Sequence, residues 1–160
     1  MKQIPSFSID HTKLKSGLYT SMIHELAPDI EIDTLDIRIC EPYVDTPMTS
    51  AVAHTIEHLG ATFLRSMWPN NIIYFGPMGC LTGFYLILRL TPFMPNPFYM
   101  VTECFKFISD EAFSIPGATK KECGNYEMMD LAGANAVATK YLHTLLTDKN
   151  KYDGKTRYSY

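Results

Sequence analysis

The stretch His54-Thr55-Ile56-Glu57-His58 constrains this chain more than any other. Positions i and i+4 of a helix share one face, so His54 and His58 aim two imidazoles at one point if the segment is helical. The flanks Ala51, Val52, Ala53, Leu59, Gly60 and Ala61 are small and apolar, which places that helix in the interior. Buried histidines and a buried glutamate need partners. With Cys123, the two imidazoles form a three-ligand set suited to a borderline divalent metal such as zinc or ferrous iron. Three protein ligands leave a coordination position open, the mark of a catalytic site, and Glu57 beside it would shuttle protons. The H-x-x-E-H pattern is short, and an amphipathic helix with two surface histidines and a solvated glutamate reads the same way.

The rest of the chain supplies a frame for that helix. Residues 1–12 read as an exposed arm or edge strand, and 17–28 fit a short helix or a strand equally. Ile30, Ile32, Leu35, Ile37 and Ile39 are mostly separated by charged residues, the period-two pattern of a half-buried strand. Thr34 beside Asp33 breaks the phase and suggests a bulge, while Asp36 and Arg38 fall on the polar face as a solvated pair. Thr49 or Ser50 caps the motif helix, which runs to about Ser66 with Ile56, Leu59, Phe63 and Met67 on its core face. Short strands at 72–75 and 83–88 flank the turn Gly76-Pro77-Met78-Gly79, which lifts Cys80 toward a cavity. Pro97 opens a helix reaching about Phe113, with Cys104 as core filling. Cys123-Gly124 precedes a long helical pattern through Leu145, which places the Cys123 thiolate near a helix N-terminus. The polar tail from Asp148 to Tyr160 is expected to be partly disordered.

Composition narrows the function classes. The 160 residues, 46% of them hydrophobic, suit a single domain with one core. A net charge of −3 argues against nucleic acid and anionic membrane as partners. No apolar run reaches about eighteen residues, so no membrane span is expected. The N-terminus lacks the apolar core of a signal peptide, so a cytoplasmic location is expected, and with it four reduced cysteines.

Taken together, several segments resemble one family. They are Ser6-Phe7, Asp10-His11, Asp36-Ile37-Arg38, His54-Thr55-Ile56-Glu57-His58-Leu59, Arg65-Ser66, Pro77-Met78-Gly79-Cys80 with Thr82-Gly83, and Cys123-Gly124 with Asp130-Leu131. In this order and spacing they resemble the S-ribosylhomocysteine lyases, the LuxS family of autoinducer synthases. The resemblance implies an α+β fold, an antiparallel sheet packed against helices, assembled as a homodimer with shared active sites. It implies one ferrous ion per subunit, replaceable by zinc, held by His54, His58 and Cys123. The implied reaction cleaves the thioether of S-ribosylhomocysteine to homocysteine and 4,5-dihydroxypentane-2,3-dione, precursor of a quorum-sensing autoinducer and a product of methyl-cycle recycling. Glu57 and Cys80 would be the acid/base pair, the Cys80 thiol activated by the nearby metal. Ser6, His11 and Arg38 would reach the substrate of the neighbouring subunit, Arg38 through its carboxylate, with Arg65 and Tyr85 as further substrate-binding candidates. The chain departs from the family at Tyr74 and Gly76, where an aspartate and a serine are usual. Two other readings remain: a zinc peptidase of the inverted H-x-x-E-H type, and a homologue that keeps the metal but has lost turnover or changed substrate.

Overall fold

The computed structural model describes residues 9–147, so Ser6 and the tail from Asp148 lie outside the described residues. Four strands, β1 (Gly17–Ala27), β2 (Ile30–Arg38), β3 (Ile72–Pro77) and β4 (Gly83–Leu90), form an antiparallel sheet in the order β1-β2-β4-β3. Helices α1 (Ser50–Met67), α2 (Pro97–Lys106) and α3 (Leu131–Thr147) complete an α+β fold, as expected. The ambiguous segment at 17–28 is a strand because it pairs along its length with β2. The phase break at Thr34 is answered by a bulge in β1, between Thr20 and Met22, whereas the pairing of β2 with β4 runs without a shift.

Leu35 and Ile37 are fully buried on the sheet face that carries Phe84, Leu86 and Phe75. Alternation sends Asp36 and Arg38 to the other face. They are not a solvated pair there: Asp36 is 0% exposed and Arg38 2%, joined at 2.5 Å. Helix α1 packs against β3 where Gly60 meets Phe75; a Cβ at Gly60 would fall 2.5 Å from the Phe75 ring. The core face of α1 is Val52, Ala53, Ile56, Leu59 and Leu64, whereas Met67 projects into solvent beyond it.

Two helix boundaries differ from the sequence pattern. Helix α2, capped by the Asn96 side chain with Pro97 in its first turn, ends at Lys106 and loosens into a π-helical turn over Phe107–Glu111. Turns, not helix, follow Cys123. Helix α3 begins only at Leu131, where the Asp130 carboxylate accepts the Gly133 N–H at 2.8 Å and acts as its cap. Helix α3 is tied to the sheet by Tyr141, whose buried hydroxyl donates to the Gly17 carbonyl at 2.8 Å.

Candidate active site

Helix α1 starts where Thr49 accepts the Val52 N–H, and one turn later it presents His54, Glu57 and His58. The two imidazole rings sit edge to face, 4.8 Å apart. Each holds a backbone carbonyl through Nδ1: His54 that of Met128 at 2.9 Å, His58 that of Pro116 at 2.8 Å. An imidazole that donates from Nδ1 keeps its lone pair on Nε2, the arrangement typical of metal-ligating histidines. The Pro116 carbonyl is aimed by Gly117, whose φ of 68° few other residues adopt and which lies against His58.

Cys123 reaches the same point from the turns before α3. Its N–H donates to the Thr119 carbonyl at 3.0 Å, and its sulfur lies 3.4 Å from His54 Nε2. The Asn125 N–H points at that sulfur from 3.5 Å. The helix dipole is therefore not what steadies this thiol. The donor atoms of His54, His58 and Cys123 all lie within 4.8 Å of one another. A tetrahedral ion with bonds of about 2.3 Å to sulfur and about 2.1 Å to nitrogen holds those two atoms about 3.6 Å apart, close to the observed 3.4 Å. The residues fit a divalent metal. The trio opens into a cavity of about 610 Å³ that Glu57 and Glu122 also line. Glu122 accepts a hydrogen bond from the Thr119 hydroxyl at 2.7 Å.

Cys80 lines a different cavity, of about 400 Å³, with His11, Tyr43, Asp45 and Thr82. His11 faces it from a turn in which Nδ1 engages the Ile9 carbonyl at 2.9 Å. Partial burial pushes the Cys80 thiol up. The side-chain and backbone hydrogen bonds of Thr82, with the positive charge of Arg38, outweigh burial and bring it below its ordinary value. The sequence reading placed a metal beside this thiol; within one chain, Thr82 and Arg38 do that work. Arg38 donates to the Thr82 hydroxyl at 2.6 Å and to Asp36, so both terminal nitrogens are already engaged. Tyr85 pairs with Asp36 across the strands, and burial followed by the Asp36 charge raises its phenol, which therefore stays neutral.

The candidate residues thus fall into two groups. His54, Glu57, His58 and Cys123 share the larger cavity, while Cys80 and His11 share the smaller, with Arg38 and Tyr85 beside them. Arg65 belongs to neither: it is exposed near the end of α1, its guanidinium 3.4 Å from the Ile73 carbonyl. Sequence reasoning assigned no role to Thr82 or Glu122, although Thr82 sits in a motif it singled out and Glu122 adjoins Cys123. A hydroxyl two residues from a candidate thiol, and a carboxylate adjoining a candidate ligand, were the available signals.

Comparison with known proteins finds one family. A family profile described as S-Ribosylhomocysteinase (LuxS) matches residues 4–152. An S-ribosylhomocysteine lyase of Phocaeicola vulgatus is 42% identical over 153 residues, covering 94% of each chain. One from Finegoldia magna is 45% identical over 145 residues, 91% of this chain and 92% of the relative. One from Borreliella afzelii is 44% identical over 147 residues, 91% of this chain and 93% of the relative.

Proposed function

Because this chain belongs to the S-ribosylhomocysteinase (LuxS) family, we propose that it is a metal-dependent carbon–sulfur lyase acting on S-ribosylhomocysteine. The products are homocysteine and 4,5-dihydroxypentane-2,3-dione, the precursor of an autoinducer. The observation that carries this reading is the convergence of His54, His58 and Cys123 beside Glu57 in an open cavity. Residues 1–160 act as one domain, in the cytoplasm. No helix among the described residues is long and apolar enough to cross a membrane.

Two imidazoles and a thiolate suit ferrous iron, with zinc able to replace it, one ion per subunit. When bound there, the ion supplies Lewis-acid polarisation of the substrate's carbonyl and hydroxyl oxygens. The protein's own groups do the rest. The ring-opened sugar must move its carbonyl along the carbon chain by proton transfers, then lose the thiol from the carbon β to that carbonyl. Glu57, facing the ligand trio, takes and returns protons on one side of the chain. Cys80, with its thiol poised below the ordinary value, serves the other side.

Glu57 and Cys80 line separate cavities of one chain. We therefore place the reaction in a homodimer, where one subunit's Glu57 and metal ligands meet the partner's Cys80. His11, Arg38 and Tyr85 bind substrate from the Cys80 side, and Ser6, outside the described residues, and Arg65 are further substrate contacts. Arg38, anchored by Asp36 and Thr82, offers charge beside the thiol more than a free bidentate clamp.

A second reading, a changed substrate, rests on Tyr74: its phenol lies over Gly76 and fills the space a side chain there would need. The test is release of free thiol from S-ribosylhomocysteine by anaerobically purified, iron-loaded protein. The lyase reading expects release that chelation abolishes, and that Cys80→Ala abolishes while metal stays bound. No release from a folded, metal-loaded dimer would overturn it in favour of the changed substrate.

A further inference from the structure

We propose that Thr82 is a positioning residue for Cys80, its hydroxyl turning the charge of buried Arg38 into a hydrogen bond aimed at the sulfur. The inference builds on the acid/base role given to Cys80 above, but its test does not depend on turnover.

The Thr82 hydroxyl has one proton to give. Arg38 Nη1 approaches its oxygen at 2.6 Å, and a guanidinium can only donate, so the oxygen's lone pair is taken on that side. The Cys80 sulfur lies 3.1 Å from the same oxygen. With Cys80 as thiolate, the hydroxyl proton must point at the sulfur, and the bond is charge-assisted from both ends. Arg38 is itself held by Asp36, so the series Asp36, Arg38, Thr82, Cys80 runs from the buried sheet face to the cavity wall.

The backbone fixes this geometry. The Thr82 carbonyl accepts two N–H groups, Ile39 at 3.0 Å and Cys40 at 2.9 Å. Leu81, between thiol and hydroxyl, has a φ of 58°, an uncommon conformation for a branched residue. It is braced on both sides, its N–H donating to the Met78 carbonyl and its carbonyl accepting from Met48. Such a conformation persists only where its surroundings impose it, and here it sets the thiol and hydroxyl 3.1 Å apart. The other titratable or charged groups near Cys80 are Arg38 on β2, Tyr85 on β4, and His11, Tyr43 and Asp45 on the cavity wall, with Asp36 behind Arg38.

The experiment measures alkylation of Cys80 by iodoacetamide against pH in the metal-loaded full chain, quantified by mass spectrometry of the Cys80 peptide. Wild type, Thr82→Ser and Thr82→Val are compared. Losing one hydrogen bond to a charged group lowers the thiolate population about tenfold. A more basic thiolate is about threefold more nucleophilic, from a Brønsted slope of about 0.5. For Thr82→Val we therefore expect a midpoint moved to higher pH, a rate about threefold lower on the acid limb below both midpoints, and a plateau about threefold higher. Thr82→Ser should restore the wild-type profile. Should the valine variant fail to fold, Thr82→Ala carries the same expectation. A profile unchanged in the valine or alanine variant overturns the proposal. So does a Thr82→Ser profile displaced as far as that of valine, since the hydroxyl would then not be the cause. A protein inactive on S-ribosylhomocysteine that still shows these shifts would refute the lyase reading and leave the role of Thr82 standing.

Discussion

Replacing Arg38 by methionine tests the buried charge arrangement behind Cys80. The Arg38 side chain is 3% exposed and that of Asp36 0%, with nitrogen and oxygen 2.5 Å apart. Methionine keeps much of the packing volume but leaves the Asp36 charge inside the sheet without its cation. Removing one partner of a buried pair costs about 3–5 kcal/mol. Domains are stable by about 5–15 kcal/mol in total, so the variant stands close to unfolding. At about 2–4 °C per kcal/mol for a chain of this size, the melting temperature should fall by about 6–20 °C. Adding Asp36→Asn removes the stranded charge, and the double variant should regain at least half of the loss. Urea denaturation of the wild type, both single variants and the double variant closes the cycle. A cost below about 1 kcal/mol for Arg38→Met, or a double variant no better than the single one, would refute the reasoning.

Other predictions follow from the same geometry. Altering a group that supports a metal ligand costs about 10–100-fold in affinity; Cys123→Ala, which removes one of the three donor atoms proposed to hold the ion, should lose at least that much, measured as metal retained after dialysis. Gly60→Ala should destabilise by a net of about 1–2 kcal/mol, because the buried Phe75 ring has nowhere to go and the gain in helix propensity offsets only part of the overlap. Gly76→Ala should cost less than about 1 kcal/mol, because the half-exposed Tyr74 swings into solvent; thermal melts separate the two. The Lys140 side chain, then the Glu41 N–H, hold the Asp45 carboxyl below its ordinary value of 3.8. A lowered carboxyl stabilises the fold above that value and loses its effect as pH falls through the lowered one. The stability difference between wild type and Asp45→Asn should therefore be constant near neutrality and vanish in acid, as followed by denaturation against pH.

The sequence made some of this legible because the periods are local. The i, i+4 histidines and their apolar flanks required α1, Thr49 is its cap, and Asn96-Pro97 opens α2. The cluster of His54, His58 and Cys123 was legible because metal-ligand chemistry restricts the residue types so strongly. Less legible was whatever depends on what lies across the sheet. Asp36 and Arg38 carry the alternation of a solvated strand face, yet are buried, because β1 and β4 flank them and Thr82 meets the guanidinium. Met67 matched the helical period but lies past the edge of the core. The delayed start of α3 follows from Asp130, which caps at Gly133 and whose N–H is taken by the Thr55 hydroxyl at 2.8 Å, a bond between distant segments. The separation of Cys80 from Glu57 has no trace in spacing, since it depends on where the turns place two cavities.

That separation is where the account is most exposed. Glu57→Ala and Cys80→Ala chains, each inactive alone in thiol release from S-ribosylhomocysteine, are mixed one to one, dissociated and reassociated. In a two-fold dimer with shared sites, half of the dimers are mixed and each carries one intact site, so activity should return to about a quarter of wild type. Activity that stays at the level of the parent variants, in dimers verified to be mixed, would contradict a site built between two chains.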